Sequence, residues 1–153
     1  MIFYGKAAIA AAEKHLGRVM RPEERRACYL EGFADEVYLD SKKIPTFGMG
    51  QTGEWIEKGL EAALKYHFNR VAERLPQFVF YPEFLRCELF QAEWRGDLGN
   101  SPVASGLIRG REYSEAAKEF LDNAEYRSAP DSIQRRMEAV ATALHLYDLT
   151  REM

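Results

Sequence analysis

A chain of 153 residues, 46% of them apolar and 29% charged, has the balance of one folded domain, long enough to bury a core and too short for two independent ones. Its net charge of -3 gives no reason to expect nucleic-acid binding, so any hold on an anionic polymer must come from local basic clusters such as Arg25-Arg26, Arg109-Gly110-Arg111 or Arg135-Arg136. No apolar run approaches membrane-spanning length, and Glu13 and Lys14 interrupt the mildly apolar stretch from Ala7 to Ala12, so neither a secretion signal nor membrane insertion is expected.

In chain order, residues 3–16 mix Ala, Ile and Leu with Lys and Glu and predict a helix ended by Gly17. Pro22 suits a first helical turn, so a second helix is expected from there into Glu31. Residues 1–30 are thus a helical extension. The texture then changes: Val37-Tyr38-Leu39, the polar turn Asp40-Ser41-Lys42-Lys43, and an extended pattern from Ile44 to Phe47. With Gly48, Gly50 and Gly53 allowing tight turns, 31–53 reads as a small antiparallel hairpin with room for a third short strand.

Ile56, Leu60, Leu64, Phe68, Val71 and Leu75 recur at helical spacing, which predicts one long amphipathic helix over 54–75, stopped by Pro76. A proline-bracketed connector at 76–82 leads into a helical region spanning 83–149. Phe84, Leu85, Leu89, Phe90 and Trp94 mark its first, largely buried helix, and short helices are expected near 103–109 and 114–123. Asp131 with Gln134 three residues on reads as a capping box for a last helix with Ile133, Met137, Val140, Leu144 and Tyr147 on one face. The expected class is mainly helical α+β: a small β-element and a helical lobe joined by the long helix, with a cleft between. Nothing demands more than a monomer.

Cys28 and Cys87 have no metal-ligand spacing and fall on helical segments, so buried thiols are expected rather than a disulfide. His15, His67 and His145 are scattered singly, the last two within amphipathic patterns that predict half-buried structural residues. No metal site and no cofactor are expected.

The sharpest pattern is Glu31-Gly32, then Asp40 after eight intervening residues, then Thr46 after five more, inside Pro45-Thr46-Phe47-Gly48-Met49-Gly50. Hydrolysis of a glycosidic bond needs a proton donor for the leaving oxygen and a group on the opposite face of the sugar that activates water. Glu31, where a helix gives way to a hairpin, suits the acid, because partial burial would raise its pKa. Asp40 at a polar turn would stay ionised, and Thr46 on the returning strand could hold a water beside it. A carboxyl separation of about 6.5–9.5 Å would make the reaction inverting. A plain structural role for the same residues is a helix end, a turn and a strand position.

These residues, with Gly32, Tyr38 and the Pro-Thr-Phe-Gly-Met-Gly run, resemble the catalytic hairpin of the phage-type lysozymes, glycoside hydrolase family 24. Weaker matches cover most of the chain. Leu89-Phe90-Gln91 resembles the family's cleft-lining helix, Tyr113-Ser114-Glu115-Ala116-Ala117 the helix that follows, and Tyr126 with Arg135-Arg136-Met137-Glu138 the C-terminal helix. The resemblance implies a lysozyme-like fold and a muramidase acting on bacterial peptidoglycan, with Glu31 as acid and a water held by Asp40 and Thr46. It also implies that Gly50, Gln51, Phe90, Gln91 and Arg136 bind substrate. Such a protein would stay in the host cytoplasm until released to the wall, or travel with the virion.

The chain departs from the family at Gln51, where a histidine is usual, and at Glu93-Trp94-Arg95-Gly96-Asp97, where many relatives carry an Asn-centred segment. Two other readings stay open. A lytic transglycosylase would use one acid/base glutamate and need no water-holding pair. A non-catalytic phage structural or wall-binding protein would keep the fold without turnover.

Overall fold

The computed structural model describes residues 1–151 and is mainly helical, with a small antiparallel sheet. It divides into two compact units, Met1–Asn69 and the remainder from Arg70.

In the first unit the opening residues do not begin a helix. Ile2–Phe3 forms strand β1, and helix α1 (Gly5–Leu16) starts only after Tyr4. The apolar pattern at 3–16 could not separate the two, because a two-residue strand has no period of its own and is defined by its partner across the sheet. Gly17 closes α1, its N–H bonded to the Glu13 carbonyl. Helix α2 (Pro22–Glu31) begins at the expected proline and ends on Glu31. Ala8, Ala12, Ala27 and Cys28 are fully buried at α1 and α2, small side chains that let two short helices lie close.

After Gly32 the chain enters β2 (Phe33–Leu39), turns at Asp40, and returns as β3 (Pro45–Gly48) and then β4 (Gln51–Thr52). The sheet order is β1-β2-β3-β4, all antiparallel neighbours. The expected third strand is therefore present, and β1 adds a fourth. The β2–β3 register runs from Ala34 opposite Gly48 to Tyr38 opposite Thr46. Four steps on β2 thus face two on β3, a bulge that bends β2 before the turn.

The long helix expected over 54–75 is two: α3 (Glu54–Lys58) and α4 (Leu60–Arg74). Gly59 lies between them at φ 90° and ψ 167°, a conformation closed to other residues and incompatible with a continuous helix. The apolar spacing continues across the break, so periodicity alone could not reveal it. The boundary between the two units falls within α4.

In the second unit the connector 76–82 holds a 3-10 turn (Phe78–Phe80) and leads into α5 (Glu83–Arg95), α6 (Pro102–Arg109) and α7 (Tyr113–Leu121). A short helix α8 (Ala124–Ser128) follows, too brief to show an apolar period; the Asn123 side chain accepts the Tyr126 N–H at 2.7 Å and starts it. The last helix is α9 (Asp131–Thr150). Its expected capping box is absent: Pro130 holds the cap position and Asp131 is already helical, while Gln134 Nε2 donates to the Tyr126 carbonyl at 2.9 Å. The expected face holds, with Met137, Val140 and Leu144 buried beside Phe120, Ala116, Ala117 and Leu89. Cys28 is buried as expected, but Cys87 is only half-buried. His67 and His145 are half-buried.

Candidate active site

Glu31, Asp40, Thr46, Gly50 and Gln51 all lie in the first unit. Glu31 is the last residue of α2 and half-buried. Gly32 sends the next residue into β2, so the glutamate stands at the root of the hairpin. Asp40 stands at its tip. Its Oδ1 accepts two main-chain N–H groups, from Lys42 and Ile44, each at 2.8 Å. Its own N–H donates to the Ile44 carbonyl at 3.1 Å, closing the ladder. One carboxylate oxygen is therefore spent on the turn, as expected for an aspartate at this position.

Thr46 pairs directly with Tyr38 on one side and Thr52 on the other, so the three side chains share a face of the sheet. Asp40 lies just past the end of β2, in the turn. The Thr46 hydroxyl donates its proton to the Ile44 carbonyl at 2.9 Å, and the residue is only 4% exposed. With its proton committed, Thr46 Oγ1 can act toward a water only as an acceptor.

Gly50 sits in the tight turn between β3 and β4, exposed, with open space where a side chain would be. Gln51 is turned inward. It is 6% exposed, its Oε1 accepts the Met49 N–H at 2.8 Å, and its Nε2 is buried with no hydrogen-bond partner. It is a brace for the β3–β4 turn rather than an open sugar-binding amide. Sequence reasoning missed what this demands of Gly48: a Cβ there would lie 2.3 Å from Gln51 Oε1. The signal was the Gly-x-Gly-Gln spacing itself.

The remaining expected site residues belong to the second unit and are packed. Phe90 has no exposed surface, so in this structure it is core and not a sugar platform. Its position at helical spacing with Leu85 and Leu89 explains why. Gln91 is 1% exposed and Arg136 7% exposed. The two lock α5 to α9: Gln91 Nε2 donates to the Arg136 carbonyl at 3.1 Å, and Arg136 Nε and Nη2 both donate to Gln91 Oε1 at 3.2 Å. Both are polar because a buried helix crossing needs its polar groups paired, a demand indistinguishable in sequence from ligand recognition.

The segment that departs from the family pattern is also structural. Arg74 Nε bonds buried Glu93 at 2.8 Å, and Arg95 bridges Asp97 at 3.2 Å and Glu125. Gly96 lies between them as the left-handed cap of α5. Burial pushes the Asp97 carboxyl up from its ordinary range, with Arg95 opposing the shift.

Among the described residues, no group of three or more His, Cys, Asp or Glu side chains is placed to hold a metal ion, and no helix is long and apolar enough to cross a membrane. Comparison with known proteins finds no matching family model, curated protein or solved structure. The resemblance to the phage-type lysozymes therefore rests on the residues themselves, most sharply those from Glu31 to Gly50.

Proposed function

We propose that this protein is a peptidoglycan muramidase, hydrolysing the β-1,4 bond between N-acetylmuramic acid and N-acetylglucosamine with inversion, in the lysis or entry step of a phage. The observation that carries the reading is that one hairpin bears Asp40 at its turn and Thr46 on its returning strand, and grows directly out of Glu31. In this scheme Glu31 donates its proton to the leaving glycosidic oxygen. A water on the opposite face of the sugar gives one proton to Asp40 and a hydrogen bond to Thr46 Oγ1 as it adds to the anomeric carbon. Because Asp40 Oδ1 is held by the turn, Oδ2 is the oxygen that takes the proton. Exchange with solvent then reprotonates Glu31 and deprotonates Asp40.

A second reading is a wall-binding or structural protein without turnover. It is favoured by the engagement of Asp40 Oδ1 and the Thr46 hydroxyl in the hairpin's own hydrogen bonds and by the low exposure of Thr46.

Clearing of purified peptidoglycan by the wild type and by Glu31→Gln, with mass spectrometry of the released ends, separates these. Reducing muramic acid ends from the wild type alone are expected. Anhydro ends would make it a lytic transglycosylase. Sedimentation of both proteins with the wall and clearing by neither would leave the binding-protein reading.

A further inference from the structure

The second unit holds a pocket of about 420 Å³ that the hairpin chemistry does not use. This is within the range of small-ligand sites. Its floor is a cluster of tyrosines packed edge to face, with ring centroids 5.8 Å apart for Tyr81 and Tyr113, 5.3 Å for Tyr81 and Tyr147, and 4.9 Å for Tyr113 and Tyr147. The Tyr81 and Tyr113 hydroxyls bond each other at 3.1 Å, which fixes the cluster from within.

The rim carries the features that point to a ligand. Phe80 is 84% exposed, an aromatic ring left in water beside an aromatic floor. Arg151 lies over the Tyr113 ring at 4.8 Å, held by Asp148 at 3.1 Å and by the Arg111 carbonyl at 3.2 Å. Arg111 is exposed and has no ion pair among the described residues, and its backbone is left-handed at φ 63°, a conformation that costs an arginine about 1–2 kcal/mol. Gln77 completes the wall; its Oε1 has no hydrogen-bond partner, and its Nε2 bond to the Arg109 carbonyl is long, at 3.4 Å. A turn of that loosely held amide would present the oxygen to a ligand donor.

We propose that this pocket binds an acidic N-acetylated sugar, with its carboxylate on Arg111, its apolar ring face against Phe80, and a hydroxyl or amide N–H on Gln77. The charges choose the class: a cation without a counter-ion selects an anion, and aromatic faces beside an amide acceptor suit a pyranose better than an inorganic ion. Choosing N-acetylmuramic acid as the sugar rests on the muramidase reading. The pocket would then hold the wall through a second contact made entirely by the second unit, raising the effective concentration of glycan at the hairpin.

The test titrates the full chain carrying Glu31→Gln with N-acetylmuramic acid and, separately, with N-acetylglucosamine, which lacks the lactyl carboxylate. Binding is followed by NMR of the tyrosine rings. Two substitutions are compared: Arg111→Asn, which suits left-handed backbone, and Phe80→Ala, at a side chain already in solvent. The expected result is saturable shifts with N-acetylmuramic acid, binding of N-acetylglucosamine weaker by about tenfold, and a loss of about tenfold in each variant. No binding, equal binding of the two sugars, or binding unchanged in both variants overturns the proposal. Neither monosaccharide has a bond to cleave, so the result is independent of turnover. Wall clearing by protein that keeps Glu31 reports separately on the muramidase reading.

Discussion

Replacing Gly48 by alanine tests how the candidate hairpin is held. Gly48 sits at φ 67°, so any side chain costs about 1–2 kcal/mol in the left-handed region. The added Cβ would also lie 2.3 Å from Gln51 Oε1 and 3.1 Å from its Cδ, inside contact distance. The Gln51 amide can swing aside, but only by giving up the 2.8 Å bond it accepts from the buried Met49 N–H. Loss of an acceptor to a buried donor costs about 1–3 kcal/mol. Together the substitution should destabilise the first unit by about 2–5 kcal/mol. Urea unfolding followed by Trp55 fluorescence reports from this unit if Trp94, in the second unit, is changed to Phe. A Gln51→Ala background removes the clash and leaves only the backbone cost, so Gly48→Ala should then cost about 1–2 kcal/mol. A cost below about 1 kcal/mol in the wild-type background would refute the argument, as would the same cost in both backgrounds.

Asp40 divides structure from chemistry. Asp40→Asn keeps an acceptor for the Lys42 and Ile44 N–H groups and should hold stability within about 0.5 kcal/mol while abolishing wall clearing, whereas Asp40→Ala should lose both, at about 1 kcal/mol by urea unfolding. Lys43 holds φ 62° in the same turn, so Lys43→Gly should stabilise the hairpin by about 0.5–1 kcal/mol, read as a higher urea midpoint with unchanged slope. Burial, then the bond to Tyr113, raises the Tyr81 hydroxyl above its ordinary value of 10. The folded state therefore holds this proton more tightly than the unfolded state. Its contribution is intact below pH 10 and lost as pH rises beyond it, so Tyr81→Phe should flatten the alkaline fall in the urea midpoint.

Much of the fold was legible in the residues because it depends on local chemistry. Proline at 22 starts a helix anywhere, the polar run Asp40 to Lys43 turns, and the apolar face of α9 recurs every three or four residues whatever it packs against. Two features are invisible to that local pattern. Ile2–Phe3 is a strand only because Phe33 and Ala34 lie beside it. The break at Gly59 leaves the apolar period untouched, so only backbone geometry reveals it.

The candidate site divides in the same way. Residue identity and spacing determined by themselves that Glu31 would end a helix, that Asp40 would stand at the turn of one hairpin and that Thr46 would lie on its returning strand, because a tight antiparallel turn ties pairing to chain distance. Only the tertiary structure decided that Phe90 is core, that Gln91 and Arg136 bond each other across 45 residues, and that Tyr81, Tyr113 and Tyr147 meet in one pocket beside Arg111 and Arg151. The physical reason is that burial and hydrogen-bond pairing between helices depend on which faces meet, and a helix carries its polar residue with the same spacing whether that residue faces a ligand or another helix.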